Sequence, residues 1–195
     1  MNRLAVYTLA GMTFLLAPLS YGADTPSPKA VWREIQSVQK ANALMPESRV
    51  LQPGSRTVDY YTTDLGNGPA SMTIKKAGGV VQVRRYPNGS LLVKENYNKD
   101  RKLTGIAAML KLAGYDPADR NWVMAAYGPT GKALAFGKIG TCISCHVMVR
   151  KQDLVFAPPP TQLLSASTWK AFFPKQEITP VYDKLLKMHP GAIVQ

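Results

Sequence analysis

The sequence predicts an α+β fold, in which an antiparallel β-sheet is flanked by helices. Runs rich in Val, Thr and Tyr favour strands, and an Asn-Gly pair at 88–89 between two such runs indicates a β-hairpin. Other segments carry apolar residues at helical spacing. A chain of 195 residues can build a hydrophobic core, and its apolar content of 46% argues against a disordered protein.

The N-terminal segment 1–23 is interpreted as a cleaved secretory signal peptide. Arg3 supplies a short positive region, residues 4–19 are uncharged and apolar, and small residues lie near 22. The apolar run is short for a membrane span, although an uncleaved anchor remains the alternative. The expected organisation is therefore export to the periplasm, one domain over 24–160 and a helical tail over 161–195.

The first half of the domain is predicted to contain one helix and several strands. Apolar spacing predicts a helix over 31–44, which stops before Pro46. Strands are expected over 56–63 and, after a Gly- and Pro-containing break, over 72–76. The hairpin is expected to pair 80–86 with 90–97.

The second half is predicted to be mostly helical around one buried strand. Residues 104–113 carry apolar side chains on one helical face, and 121–127 has the apolar character of a buried strand. A short helix is expected over 130–140. Two more helices are expected in the tail, over 167–173 and 180–188.

Both cysteines of the chain lie in one motif, Cys142-Ile143-Ser144-Cys145-His146. This C-x-x-C-H pattern is typical of covalent haem c attachment, in which each thiol adds to a vinyl group and the histidine coordinates the iron. The sequence therefore predicts a mono-haem protein with His146 as proximal ligand. A local disulfide or redox-active pair is the alternative.

The sixth position of the iron is predicted to be open. The other histidine, His189, lies far along the tail, and Met148 is too close to His146 to reach the opposite face. The remaining methionines of the mature chain are expected to fill the core. They are Met45, Met72, Met109, Met124 and Met188. An open position favours small-molecule chemistry or gas binding over simple electron transfer.

The formal net charge of +12 suits an acidic redox partner, such as another cytochrome. Nucleic acid is not expected as a partner, because the basic residues are scattered and the chain is predicted to be exported.

Four segments together resemble the cytochrome P-460 family. They are 86–95, 121–127, 142–146 and 153–156, and the resemblance covers roughly residues 30–160. It implies a mostly antiparallel sheet with helices, haem c, a five-coordinate iron and a homodimer. It also implies activity on hydroxylamine or nitric oxide.

The resemblance implies a special role for Lys94, since family members carry a strand lysine bonded to the porphyrin. By the two-residue period of a strand, Leu92, Lys94 and Asn96 share one face. A related branch, cytochrome c′-beta, lacks this bond and binds nitric oxide or carbon monoxide. Retention of Lys94 favours the first branch.

The sequence departs from the family where hydroxylamine-oxidising members place a distal carboxylate. Lys138 stands at that position, and no acid lies between Asp119 and Cys142. A protonated amine is a poor general base near neutral pH. Phe136 and Arg56 are further candidates for the distal pocket, and Asp153 is a candidate for support of the ligands. The main hypothesis is a hydroxylamine or nitric oxide oxidoreductase; a gas-binding protein and an electron carrier are the alternatives.

Overall fold

The computed structural model describes residues 25–194. The predicted signal peptide lies outside the described residues, so its cleavage stays a prediction. No helix within 25–194 has the length and apolar character needed to cross a membrane.

Six antiparallel strands form the main sheet, and neighbours in the chain are neighbours in space. The strands are β1 Gln52–Arg56, β2 Asp59–Gly66, β3 Leu91–Tyr97, β4 Leu103–Lys111, β5 Trp122–Tyr127 and β6 Ala133–Gly137. Two short parallel strands, β7 Leu163–Leu164 and β8 Ile193–Val194, form a second sheet. The predicted α+β class with an antiparallel sheet is confirmed.

Five α-helices surround the sheet. They are α1 Pro28–Lys40, α2 Gly68–Ala77, α3 Gly140–His146, α4 Ala166–Phe172 and α5 Pro180–Met188. Ser27 caps α1 by accepting a hydrogen bond from the Ala30 amide, so the helix begins earlier than predicted. The strand over 121–127 and the two tail helices are confirmed within a few residues.

Three predictions of helix or strand are wrong in this region of the fold. The helix expected over 104–113 is instead strand β4, Leu103–Lys111, because this segment lies between β3 and β5 and pairs with both. Residues 72–76 belong to α2, since the Asn67 side chain accepts from the Ala70 amide and caps a helix there. The short helix expected over 130–140 is not formed, because residues 133–137 pair with β5 as the edge strand β6.

The predicted hairpin and the predicted strand over 56–63 also need correction. Asn88-Gly89 is a turn, but the segment before it is a 3-10 helix at Val80–Gln82 followed by irregular chain. Strand β3 pairs instead with β2 and β4. The run 56–63 is divided by a tight turn between Arg56 and Asp59, which are cross-strand partners of β1 and β2.

The sheet separates two hydrophobic clusters. One face packs against α1 through residues such as Ile35, Leu91 and Val93. The other face packs α2 and the motif helix α3 through residues such as Ile74 and Leu92. This second face also forms one wall of a cavity that His146 and Cys145 border.

Candidate haem site

Helix α3 carries the whole motif and places both cysteines on neighbouring turns. Cys142 packs against the cluster beneath α3, and Cys145 borders a cavity. Burial raises the pKa of both thiols. Redox-active C-x-x-C pairs depend on a lowered thiol pKa, so this environment favours attachment cysteines over a redox pair.

His146 ends α3 and borders the same cavity. Its Nδ1 lies 2.6 Å from the Leu154 carbonyl oxygen, which can only accept, so Nδ1 carries the proton and donates it. Burial lowers the pKa of the ring, which keeps the imidazole neutral. The other nitrogen, Nε2, is then unprotonated, and its lone pair can coordinate a metal ion.

The cavity holds about 1020 Å³ of space free of protein atoms, part of it open to solvent. Strands β2, β3 and β4 form one wall, and α3 with the following loop forms another. Apolar lining side chains include Met45, Leu92, Met109, Val155, Phe156, Leu164 and Trp169. A concave, mostly apolar lining with a few polar groups is typical of ligand and cofactor sites.

Lys94 lies in this cavity on the face predicted from the strand period. The part of the chain that the structure describes contains no ion pair to Lys94. Its positive charge partly opposes the rise that burial causes in the pKa of Cys145, and it adds to the fall that burial causes in the pKa of His146.

Asp64 is a cavity residue that the sequence did not reveal. It stands directly opposite Lys94 in the register of β2 and β3. Its Oδ2 accepts a hydrogen bond of 2.5 Å from Gln52 Nε2. Burial raises the pKa of this carboxyl, while Lys94 and Gln52 act in the opposite direction. The cavity therefore contains a carboxylate, contributed by β2 rather than by the segment before Cys142.

The other sequence candidates lie away from the cavity lining. Phe136 packs on the α1 side of the sheet. Lys138 is 62% exposed and pairs with Asp116 at 2.7 Å. Arg56 forms an ion pair with Asp59 and lies 5.8 Å above the ring of Trp169, which does line the cavity.

The methionines and His189 divide between core and surface. Met45, Met109 and Met124 are buried, whereas Met72 and Met188 are more than half exposed. Met45 and Met109 also line the cavity, a position that the core-packing prediction did not include. His189 follows α5 and does not line the cavity.

The C-terminal tail completes the cavity. Trp169 of α4 and Tyr182 of α5 line it. Tyr182 is buried, and its hydroxyl donates to the Leu164 carbonyl at 3.2 Å. The sequence predicted these two helices but not their position at the cavity. That position depends on contacts between the tail and segments far away in the sequence, which local patterns do not specify.

Residues 64–157 match the family model described as Cytochrome P460. This match supports assigning the segment to the cytochrome P460 family. No curated protein matches the sequence. The similarity to this family supports haem, iron and a c-type cytochrome. Several residues that line the cavity, including Leu164, Trp169 and Tyr182, lie beyond the matched segment.

The residues present fit the haem that a cytochrome P460 carries. Cys142 and Cys145 would hold it through thioether bonds, and His146 would coordinate its iron. The neutral ring, the two unpaired thiols and the apolar cavity beside them form a consistent donor set. Within residues 25–194, no cluster of three or more His, Cys, Asp and Glu residues competes as a metal site.

Proposed function

We propose that the chain is a periplasmic mono-haem c-type cytochrome of the P460 kind, acting on hydroxylamine or nitric oxide. One observation carries the proposal: a single apolar cavity is bordered by Cys145, His146, Lys94 and Asp64. The motif residues account for haem attachment. Lys94 and Asp64 add charged groups that a simple electron carrier does not need.

Each residue has a definite part. The S–H of each cysteine adds across one vinyl group, so attachment forms two thioether bonds and releases nothing. The bound haem supplies an open coordination position and one-electron exchange. The Leu154 carbonyl fixes the His146 ring, and the apolar wall limits water around the substrate.

Asp64 supports hydroxylamine as the substrate class. Oxidation of hydroxylamine releases protons together with electrons, so the site needs a proton acceptor. A carboxyl whose pKa is raised by burial is better matched to that task near neutral pH than an ordinary surface acid. Lys94, opposite in register, is proposed as the residue bonded to the porphyrin.

The ferrous spectrum of the haem-loaded protein tests this proposal. A porphyrin bonded to Lys94 gives a broadened, red-shifted band, and Lys94→Ala restores an ordinary c-type spectrum. Lys138→Ala is the matched control, because Lys138 is exposed and outside the cavity lining. An ordinary spectrum in the wild type contradicts the bond to Lys94. Absence of hydroxylamine turnover contradicts the enzymatic part.

Two alternatives have support of their own. The apolar lining also suits a gas-binding protein of the cytochrome c′-beta kind, which would bind nitric oxide or carbon monoxide with little turnover. Met45 and Met109 line the cavity, and a thioether ligand from either residue would make a six-coordinate electron carrier. A low-spin spectrum that becomes high-spin in Met45→Leu or Met109→Leu, with slow binding of carbon monoxide, would select the carrier.

The proposed electron acceptor is an acidic redox protein. The net charge of +12, which becomes +11 when Arg3 is removed with the signal peptide, favours association with an anionic surface, and this attraction weakens as ionic strength rises. A homodimer, which the family resemblance implies, is part of the proposal.

A further inference from the structure

The carbonyl that orients His146 belongs to a loop in an uncommon backbone conformation. Asp153 and Leu154 have φ angles of 59° and 67°, so two consecutive residues with side chains occupy the left-handed region. This region is unfavourable for leucine, and such conformations persist only where the surroundings hold them. The 2.6 Å bond from His146 Nδ1 to the Leu154 oxygen therefore depends on whatever fixes Asp153.

Asp153 is fixed by three donors. Its Oδ2 accepts from Lys111 Nζ at 2.6 Å and from the Tyr86 amide at 2.7 Å. Its backbone carbonyl accepts from Trp122 Nε1 at 2.7 Å. Asp153 is fully buried, so these bonds are shielded from water.

Lys111 brings a buried positive charge from the end of β4 to this loop. Its side chain is 5% exposed, and the ammonium lies 4.6 Å from the centroid of the Trp122 ring. The Lys111–Asp153 ion pair thus connects strand β4 to Asp153, the residue before Leu154.

Stability alone is a weak explanation for such a pair. Removing two charges from water costs about as much as their attraction returns, and apolar replacements are often equally stable. The position of this pair, one residue from the carbonyl bonded to the proximal ligand, indicates a second role. Groups behind a ligating histidine orient its ring and raise its basicity.

We propose that Lys111 and Asp153 are positioning residues that hold the Leu154 carbonyl on His146 Nδ1 and thereby lower the reduction potential of the haem. A strong bond to Nδ1–H makes the imidazole a better donor, and a better donor favours ferric over ferrous iron. The inference rests on the proposed haem attachment and on His146 as the ligand.

The test uses the haem-loaded protein with the double substitution Lys111→Met/Asp153→Asn. This variant removes both charges together, so no buried charge is left uncompensated. Lys187→Met is the matched control, because Lys187 forms an exposed pair with Asp183 at the same 2.6 Å distance. Trp122→Phe, which removes one donor to Asp153 without altering charge, is an independent second variant.

The measurements are the reduction potential and the iron–histidine stretching band in the resonance Raman spectrum. We expect the preference of the haem for the ferric state to fall about tenfold in the double variant. This change corresponds to a reduction potential that is about 59 mV higher. The stretching band should move to lower frequency. Trp122→Phe should shift both quantities in the same direction by less, and the control should shift neither.

Unchanged potential and stretching band in either variant with attached haem would overturn the inference. This outcome differs from failure of the proposed function. In that case the wild type itself would lack covalent haem or an iron–histidine band.

Discussion

Thr179 joins the C-terminal tail to the cavity wall, and its replacement tests whether the tail is an integral part of the site. Thr179 is fully buried. Its hydroxyl donates to the Gly54 carbonyl of β1 at 2.7 Å and accepts from the Tyr182 amide at 3.2 Å, as the N-cap of α5. Gly54 and Tyr182 both line the cavity.

The magnitude follows from these two bonds. Thr179→Val keeps the shape but loses a buried hydrogen bond, at about 1 kcal/mol, and a helix cap, at about 1 kcal/mol. The free energy of unfolding should therefore fall by about 2 kcal/mol, or roughly 4–8 °C in melting temperature for a domain of this size.

Urea denaturation of the haem-loaded protein, followed by far-ultraviolet circular dichroism, measures this change. Thr179→Ser is the control, because it retains the hydroxyl and loses only a methyl group, at about 0.8 kcal/mol. If the valine variant is no less stable than the serine variant, the tail is not held to β1 by this contact and the reasoning fails.

Three further changes have defined outcomes. Burial raises the folded-state pKa of Asp64, so its contribution to stability is fully present below its unfolded pKa of about 4 and is lost as the pH rises through the folded value. Asp64→Asn should therefore gain stability relative to the wild type as the pH rises above about 4, and equal pH profiles in urea titrations would count against this. Ile74→Ala should cost about 2–5 kcal/mol in the same denaturation assay, because the side chain of Ile74 in α2 is fully buried in the core, and a loss below about 1 kcal/mol would show a looser core. Lys138→Ala should leave the midpoint of urea denaturation nearly unchanged, since its ion pair is exposed, and a clear fall in the midpoint would indicate a structural role.

The fold class was predictable, whereas the assignment of several elements was not. Residues 104–113 have apolar spacing compatible with either a helix or a strand buried on both faces. The pairing of β4 with β3 and β5 decides between them, and it is a tertiary effect. Ala107 and Ala108 also border the cavity, where small side chains leave room for a ligand.

The Asn-Gly signal at 88–89 predicted a turn correctly and its partner strands incorrectly. The Asn67 side chain bonds to the Gly89 carbonyl and to the Leu91 amide, so this turn is fixed to the start of α2 instead of a preceding strand. The run before it, including Val83 and Tyr86, is buried in the core as irregular chain.

The sequence predicted the haem motif and the Lys94 face of β3, but not the contribution of β2 to the opposite wall. Cys142, Cys145 and His146 stand within five residues, so their spacing was enough. Asp64 reaches Lys94 only through the register of β2 and β3, which no local pattern specifies. The carboxyl group that lines the cavity therefore comes from β2 and not from the segment before Cys142.

Intact-mass measurement of the exported, denatured protein tests the central claim most directly. The account predicts a chain lacking residues 1–23 that retains one haem after denaturation, and a Cys142→Ala/Cys145→Ala variant that retains none. A wild-type chain that loses its haem on denaturation, or that carries a Cys142–Cys145 disulfide instead, would contradict it.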